Sequence, residues 1–278
     1  MERLLTKRHT LYILLDFSEY SKTELLFAKS WIADRDFEVR VLHQLDLLVP
    51  TLTSKDMRLK ISYGVKRDIL NKWFQLKNEI FPDNEHVKFE ILDHSIVDYL
   101  TKIPKDERIF IIMGLKGGGK LKQIFIGSMV NEVIEKLDIV TFALPKSLKN
   151  FTPNEIIITV HPEFDFNIEA LHQLLDIVPD TVNTLKWISI AKEGEQVEDL
   201  NDYLEYLIKR TNTGLQQEMA VFSGMNVFAQ VKSFFQSNEN KILLIQKGGR
   251  TFMDKLFRKF LINDLVYDGS IPLIILPL

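Results

Sequence analysis

Glycines carry the strongest chemical signal in this chain, because five of its twelve glycines fall between Gly114 and Gly127. They follow an apolar run at residues 109–113 and lead into a second run with helical spacing. Glycine lets the backbone adopt positive φ and come close to a ligand, and a helix N-terminus offers free N–H groups to an anion. A loop of this kind between a strand and a helix is typical of a phosphate-binding site.

Few other residues offer reactive chemistry. The chain has no cysteine, which excludes disulfides, thiolate nucleophiles and metals bound by cysteine. Its six histidines occur singly, without the short spacings of common metal motifs, and no carboxylate pair stands out for acid–base work. The sequence therefore predicts no catalytic residue and no metal site built from protein side chains alone.

Composition and charge are those of an ordinary soluble protein. Of the 278 residues, 46% are hydrophobic and 26% are charged, and the formal net charge is −3. This charge gives no general attraction to nucleic acid or to an anionic membrane. The first residues lack the apolar core of a signal peptide, and no apolar run reaches the roughly 18 residues of a membrane span. We expect a cytoplasmic protein with no nucleic-acid or membrane partner.

Short apolar runs alternate with helical patterns through the first half of the chain. Such alternation is typical of a parallel α/β sheet with helices on both faces. Ser21 and Glu24 have the spacing of a capping box at the start of the first helix. The predicted strands are residues 11–15, 39–43, 87–92, 109–113 and 139–144, and the predicted helices are residues 21–33, 66–81, 96–103 and 127–137.

The second half repeats this order of strands and helices, which predicts two tandem domains rather than a solenoid. We place them at residues 1–147, called the first copy, and at residues 152–278, called the second copy. The polar linker is Lys146 to Asn154, which contains Pro153. The predicted elements of the second copy are strands at residues 156–160, 185–190, 217–222, 241–245 and 271–276, and helices at 198–210 and 252–260.

Three stretches of the first copy carry a family resemblance. Asp16-Phe17-Ser18-Glu19 follows the first strand, and Leu42-His43 ends the second. Most specific is Met113-Gly114-x2-Gly117-x9-Gly127-Ser128, which fits the Gly-x2-Gly-x9-Gly-Ser/Thr pattern of nucleotide-binding universal stress proteins at every spacing. The chain resembles a tandem universal stress protein, in its second copy by topology more than by motif.

This resemblance implies both a fold and a ligand. The implied fold is α/β, with two tandem doubly wound domains, each a five-stranded parallel sheet of order 3-2-1-4-5 with helices on both faces. The implied ligand is ATP with Mg²⁺, bound beyond the carboxyl ends of strands one and four. Asp16 would lie beside the ribose, the phosphates or the metal, and the main chain around Gln44 would contact the adenine.

The glycine motif supplies the remaining implied contacts. After Met113, which opens the motif, Gly114 and Gly117 would approach the ribose and phosphates. Gly127, Ser128 and the N–H of Met129 would hold phosphate oxygens at the helix start. From the residues alone, two other interpretations stay open: Asp16 as a helix cap or turn residue, and the glycine cluster as a flexible surface turn.

The second copy has lost this motif, and we expect it to have lost ATP binding. Larger side chains replace the glycines, and the bulkiest stands where phosphate would enter. The loop is also rich in lysine and arginine, which suits a phosphorylated ligand or an acidic partner as an alternative to a solvated face. The replacements are Gln246 for Gly114, Lys259 for Gly127, Phe260 for Ser128 and, in a rough alignment, His161 for Asp16.

The predicted function is therefore regulatory. We expect the first copy to bind an adenine nucleotide and the chain to signal stress to an unknown protein partner. In family dimers the fifth strands pair, so residues 139–144 and 271–276 would form an intramolecular pseudo-dimer, which leaves a further homodimer open.

Two alternatives to this function remain. In the first, the chain is an interaction protein that binds no nucleotide and has a relic phosphate loop. In the second, it is a very slow ATPase. No general base, water-positioning glutamine or arginine finger is evident near the loop, so we do not expect an enzyme.

Overall fold

The computed structural model describes residues 9–32, 36–45, 47, 53–82, 86–104, 108–115, 128–146, 148, 151–224, 226–236, 240–248 and 271–278. Ten strands and seven helices lie in these ranges. The chain divides into two compact units, Met1–Ile112 and Met113–Leu278, and the division falls inside a strand. The predicted domain boundaries at residues 147 and 152 are a property of the sequence repeat and stay a prediction.

The first unit contains a sheet with helices. Its elements are β1 (His9–Leu14), α1 (Ser21–Ile32), β2 (Phe37–Gln44), α2 (Lys55–Ile80), β3 (Val87–Leu92), α3 (Ile96–Leu100) and β4 (Ile109–Gly114). Strand β2 lies between β1 and β3 and pairs with both in parallel, and β4 follows on the other side of β1, which gives the order β3-β2-β1-β4. In the register, Leu11 lies beside Val39, and Val41 lies beside Phe89.

Helix α2 is longer than the predicted helix at residues 66–81. It begins at Lys55, where the Ser54 hydroxyl accepts a hydrogen bond from the N–H of Met57. Its buried residues are Ile69, Trp73 and Ile80, all in its second half. Because the prediction depended on an apolar face, it missed the first half, which has no buried residue and is specified by its cap instead.

The predicted capping box of Ser21 and Glu24 is wrong. Helix α1 already includes Ser21, and the N–H of Glu24 donates to the carbonyl of Tyr20 at 2.9 Å. The Ser21 hydroxyl is buried and has no hydrogen-bond partner among the described residues. The helix therefore starts on main-chain hydrogen bonds, since Ser21 lies inside the first turn and not before it.

The second unit contains the whole of the second copy together with the end of the first. Its remaining elements are α4 (Ser128–Lys136), β5 (Val140–Leu144), β6 (Glu155–Thr159), α5 (Ile168–Leu175), β7 (Thr184–Ile190), α6 (Val197–Thr211), β8 (Gln216–Phe222), α7 (Val227–Gln236), β9 (Lys241–Gln246) and β10 (Leu273–Leu276). Helices α5 and α7 were not predicted from the sequence. The predicted helix at residues 252–260 lies outside the described residues.

Five strands of the second unit are parallel and follow the order β8-β7-β6-β9-β10. This order corresponds to 3-2-1-4-5 within the second copy. The prediction of an α/β fold with a mostly parallel sheet is confirmed. Strands β6 and β9 are almost wholly buried, as expected for a parallel sheet covered on both faces.

The antiparallel exception is the pair of β5 and β10. Leu273 lies beside Ala143, and Ile274 lies beside Phe142. All four side chains are fully buried. The predicted pairing of the two fifth strands is therefore present, and it covers edges that would otherwise expose unpaired main-chain groups.

Candidate functional site

The carboxyl end of β1 leads into a tight turn at Asp16. The Asp16 side chain is exposed, and its Oδ1 accepts a hydrogen bond of 2.9 Å from the N–H of Ser18. Aspartate commonly makes this turn with its own main chain two residues ahead. The turn role that the sequence left open for Asp16 is thus present, and it fixes the carboxylate directly after the strand.

Aromatic packing holds the main chain beyond Asp16. Phe17 has a φ of 56°, which is uncommon for a residue other than glycine. Its ring packs edge-on against His43 at 5.0 Å between centroids, and it also contacts Phe89. The Trp73 ring stacks on Phe89 at 4.8 Å. A strained conformation persists only where its surroundings fix it, so these rings set the direction in which the chain leaves β1.

His43 is a structural residue at this edge. Its Nδ1 lies 2.7 Å from the carbonyl oxygen of Leu15, which places a donated N–H bond between the ends of β2 and β1. The ring is half-buried and covered by Phe17.

The side chain of Gln44 is already used by the fold. Its Oε1 accepts a hydrogen bond of 3.0 Å from the N–H of Ile96 at the start of α3. The Ser95 hydroxyl caps the same helix by accepting from Asp98. The predicted adenine contact involves the main chain around Gln44 and stays a prediction.

The other predicted site residues belong to the second unit or lie outside the described residues. Met113 is buried inside β4, and Gly114 ends that strand. Ser128 and Met129 open α4, as the motif predicted. Gly117 and Gly127 lie outside the described residues. The predicted phosphate loop therefore stays a prediction.

In the second unit, the carboxyl edge of β6 and β7 carries a group of polar side chains. His161, which aligns with Asp16, is almost fully buried. Its Nε2 lies 3.1 Å from Oε2 of Glu195, and its Nδ1 is 3.4 Å from the N–H of Glu163. A carboxylate only accepts and a main-chain N–H only donates, so the neutral ring carries its proton on Nε2.

Glu195 and Lys192 complete this group, which we call the His161 cluster (His161, Glu163, Lys192 and Glu195). Partial burial raises the pKa of the Glu195 carboxyl. The hydrogen bonds from the Lys192 main chain, at 2.7 Å, and from His161 outweigh it, so this pKa lies below its ordinary value. The Lys192 ammonium pairs with the Glu163 carboxylate.

Gln246 closes the end of β9, at the position of Gly114. Its Oε1 accepts from the N–H of Asn167 at 2.6 Å, and its Nε2 donates to the carbonyl of Asp165 at 2.8 Å. Asn167 also caps α5 and donates to the carbonyl of Leu278 at 2.9 Å. A side chain thus occupies the space that glycine would leave open.

A cavity of about 30 Å³ remains between these groups. It has room for water molecules or an ion, whereas pockets for drug-sized ligands measure roughly 300–1,000 Å³. The cavity that the described residues enclose is therefore far smaller than a site for a drug-sized ligand. The cavity is lined by Thr159, Val160, His161, Phe164, Phe166, Gln246 and Lys247.

The basic loop of the second copy is described only at its start. The ammonium of Lys247 lies 3.1 Å from the carboxylate of Asp138, and its N–H donates to the carbonyl of Leu276. This lysine is therefore part of the fold. Arg250, Lys255, Arg258 and Lys259 lie outside the described residues.

The sequence did not predict two features of this edge. Gln246 was visible as a replacement for glycine, but its two hydrogen bonds depend on the loop before α5. Glu195 comes from the loop after β7, and no short spacing connects it with His161, which lies 34 positions earlier.

Comparison with known proteins supports the fold. No protein-family model and no curated protein matches the chain. Among solved structures, it is similar to a universal stress protein from Archaeoglobus fulgidus DSM 4304, with a TM-score of 0.63 and 17% identity over 96% of this chain and 98% of that one.

Two further structures match over nearly the whole chain. One is a putative universal stress protein from Pseudomonas aeruginosa UCBPP-PA14, with a TM-score of 0.56, 12% identity and coverage of 98% and 93%. The other is the cytoplasmic domain of a prokaryotic cation chloride cotransporter, with a TM-score of 0.56, 11% identity and coverage of 96% and 95%.

Identities this low establish the fold alone, and that fold is the one seen in universal stress proteins. None of the helices in the described ranges is both long enough and apolar enough to cross a membrane.

Proposed function

We propose that this chain is a cytoplasmic regulatory protein of the universal stress type, which binds ATP with Mg²⁺ through its first copy. The observation that carries the proposal is the complete glycine motif, Gly114 to Ser128, in a chain with the fold of universal stress proteins. Fold alone does not define function, so the motif provides the argument for the ligand.

Each motif residue has a role in this proposal. Asp16 is exposed at the end of β1, and its carboxylate suits Mg²⁺ or a ribose hydroxyl. Gly114 and Gly117 let the main chain approach the ribose and phosphates. Ser128 begins α4, so its N–H and that of Met129 belong to the helix end that attracts phosphate.

The two copies then have different tasks. The second copy binds no nucleotide, because Gln246 and its hydrogen bonds with Asn167 and Asp165 fill the edge at which a ligand would enter. One ATP per chain follows. The pairing of β5 with β10 provides within one chain the contact that single-copy family members make between two chains. The unidentified protein partner then detects the ATP-bound state, and we expect no significant turnover.

The test is calorimetric titration of the full chain with ATP and Mg²⁺. Gly127→Lys copies the lysine of the second copy into the first, and we expect it to abolish binding. Gly214→Lys introduces the same side chain at a glycine with no atom within 4 Å of the added Cβ, so we expect this control to bind as the wild type does.

One site per chain that is lost only in Gly127→Lys supports the proposal. Absence of binding heat and of thermal stabilisation by ATP in the wild type overturns it. The chain would then be an interaction protein with a relic loop, which is the path the second copy has already taken.

A further inference from the structure

The His161 cluster contains the donor set of a metal site. One ligand atom each from His161, Glu163 and Glu195 lie within 4.8 Å of one another. Imidazole and carboxylate ligands together suit Zn²⁺ and its neighbours in the first transition row. All three residues belong to the second unit and lie at the carboxyl edge of its parallel strands.

Two of the three donors already have a suitable separation. His161 Nε2 and Glu195 Oε2 are 3.1 Å apart. Two ligands of a tetrahedral Zn²⁺ ion, each at roughly 2.0–2.2 Å from the metal, lie about 3.3 Å apart. The His161 side chain is only 4% exposed, and the Lys192 N–H orients Glu195. These two donors are therefore held in place before any ion arrives.

The third donor has freedom to move. The Glu163 side chain is 47% exposed, and its Oε2 lies 3.8 Å from His161 Nδ1. Binding therefore requires this exposed side chain to rotate from the Nδ1 side of the ring toward an ion at Nε2.

The small cavity lies directly beside His161, which lines it. Its volume of about 30 Å³ is enough for water. Metal sites with three protein ligands usually complete their coordination with water. The cavity thus offers room for water beside His161, the one proposed ligand that lines it.

Charge also favours a cation at this place. The cluster has two carboxylates and one ammonium, that of Lys192, which pairs with Glu163. A divalent ion takes over the role of that ammonium and neutralises both carboxylates. Lys192 lies near the surface, with a side chain 24% exposed, so it is able to turn toward solvent.

We propose that His161, Glu163 and Glu195 form a binding site for a divalent transition metal, with Zn²⁺ as the best-suited ion. The imidazole binds as the neutral form, and its proton moves from Nε2 to Nδ1, which gives up the weak contact with the Glu163 N–H. The site departs from the expectation of no protein-built metal site, because its ligands come from two loops that are distant in sequence.

The experiment uses the full chain after treatment with a chelator. Zn²⁺ alone is titrated by calorimetry and by competition with a chromophoric chelator, and Co²⁺ reports coordination through its visible absorption bands. We expect one Zn²⁺ per chain and a four-coordinate Co²⁺ spectrum. Glu163→Gln and Glu195→Gln should each weaken Zn²⁺ binding at least about tenfold.

Lys192→Gln distinguishes a metal site from an ordinary network of ion pairs. It removes the competing ammonium and should tighten Zn²⁺ binding several-fold, although it removes an ion pair. Glu205→Gln changes an exposed carboxylate on α6, paired with Lys209, and should leave binding unchanged.

Because Glu195→Gln also alters the loop, its thermal unfolding without metal is compared with that of the exposed variant Glu163→Gln. Loss of Zn²⁺ binding in a Glu163→Gln variant that melts like the wild type supports the site. Three results overturn the proposal: absence of stoichiometric binding, binding that persists in His161→Gln, and Lys192→Gln that binds no more tightly than the wild type.

Discussion

Nε2 of Gln246 donates a hydrogen bond of 2.8 Å to the main-chain carbonyl of Asp165. In the first copy the corresponding position is Gly114, which has no side chain to make such a bond. The difference between a glycine and a glutamine at the end of the fourth strand thus separates a predicted nucleotide site from a closed edge.

Gln246→Ala tests how much this closure stabilises the second copy. The change removes two hydrogen bonds, and at roughly 0.5–1.5 kcal/mol each we expect unfolding free energy to fall by about 1–3 kcal/mol. Gln196→Ala is the control, because Gln196 precedes α6 without a side-chain capping bond. Urea unfolding measures both, and equal losses in the two variants would contradict the role assigned to Gln246.

Trp73 and Phe74 are adjacent on α2 but differ in burial, with exposures of 3% and 55%. Trp73→Leu removes the stack on Phe89 and leaves a cavity, so we expect a loss of about 2–4 kcal/mol. Phe74→Leu should change stability by less than about 0.5 kcal/mol. Urea unfolding of both variants checks this contrast, and similar losses would mean that α2 packs with another face.

The lowered pKa of Glu38 leads us to expect a loss of stability at acidic pH. The hydrogen bond from Lys88 lowers the pKa of Glu38, partial burial opposes this, and Arg40 adds to the lowering. A carboxyl group whose pKa is lowered in the folded state stabilises the fold at pH values above its unfolded pKa. This stabilisation is lost as pH falls through its folded pKa.

Glu38→Gln should therefore lower the free energy of unfolding by at most about 1 kcal/mol at pH 7. This difference from wild type should shrink between about pH 5 and pH 3, the range in which model carboxyl groups titrate. Urea unfolding across this range measures it. Because the pairs are partly exposed, 0.5 M NaCl should reduce the difference, and a difference that is constant with pH would refute the ion pairs as its cause.

The raised pKa of Tyr203 leads us to expect a loss of stability at alkaline pH. Burial, with the charges of Asp165 and Tyr206, raises the pKa of Tyr203 from 10.0 to about 12. Its hydroxyl donates to the carbonyl of Phe164. Between these values the unfolded phenol ionises while the folded one stays neutral, so stability falls as pH rises.

Tyr203→Phe should remove this part of the alkaline loss. The free energy of unfolding of the variant should decline less steeply than that of the wild type between pH 10 and pH 11. Parallel curves for the two proteins would show that the Tyr203 hydroxyl is solvated in the folded state.

The sequence predicted elements wherever an apolar face specifies them. The parallel strands appeared within a few residues of their predicted bounds, because strands such as β6 and β9 are buried on both faces and read as continuous apolar runs. The sequence-based prediction failed where polar groups determine how a helix begins. The first half of α2 depends on the Ser54 cap, and the start of α1 uses main-chain bonds in place of Ser21.

For the candidate sites, the limit was distance along the chain. The turn at Asp16 is local, and the sequence left that role open. The partner of His161 is Glu195, which belongs to a loop after another strand, and nothing in the spacing of either residue indicates the other. The bond from Gln44 to Ile96 connects residues 52 positions apart and was invisible for the same reason.

The pairing of β5 with β10 has a thermodynamic consequence. Its two strands belong to one polypeptide, so their association is intramolecular and has a fixed effective concentration. Dilution cannot separate them, and the melting temperature gains no dependence on protein concentration from this contact. A pair of separate chains would exchange subunits and mix two unlike halves at random. Fusion fixes the ratio at one of each.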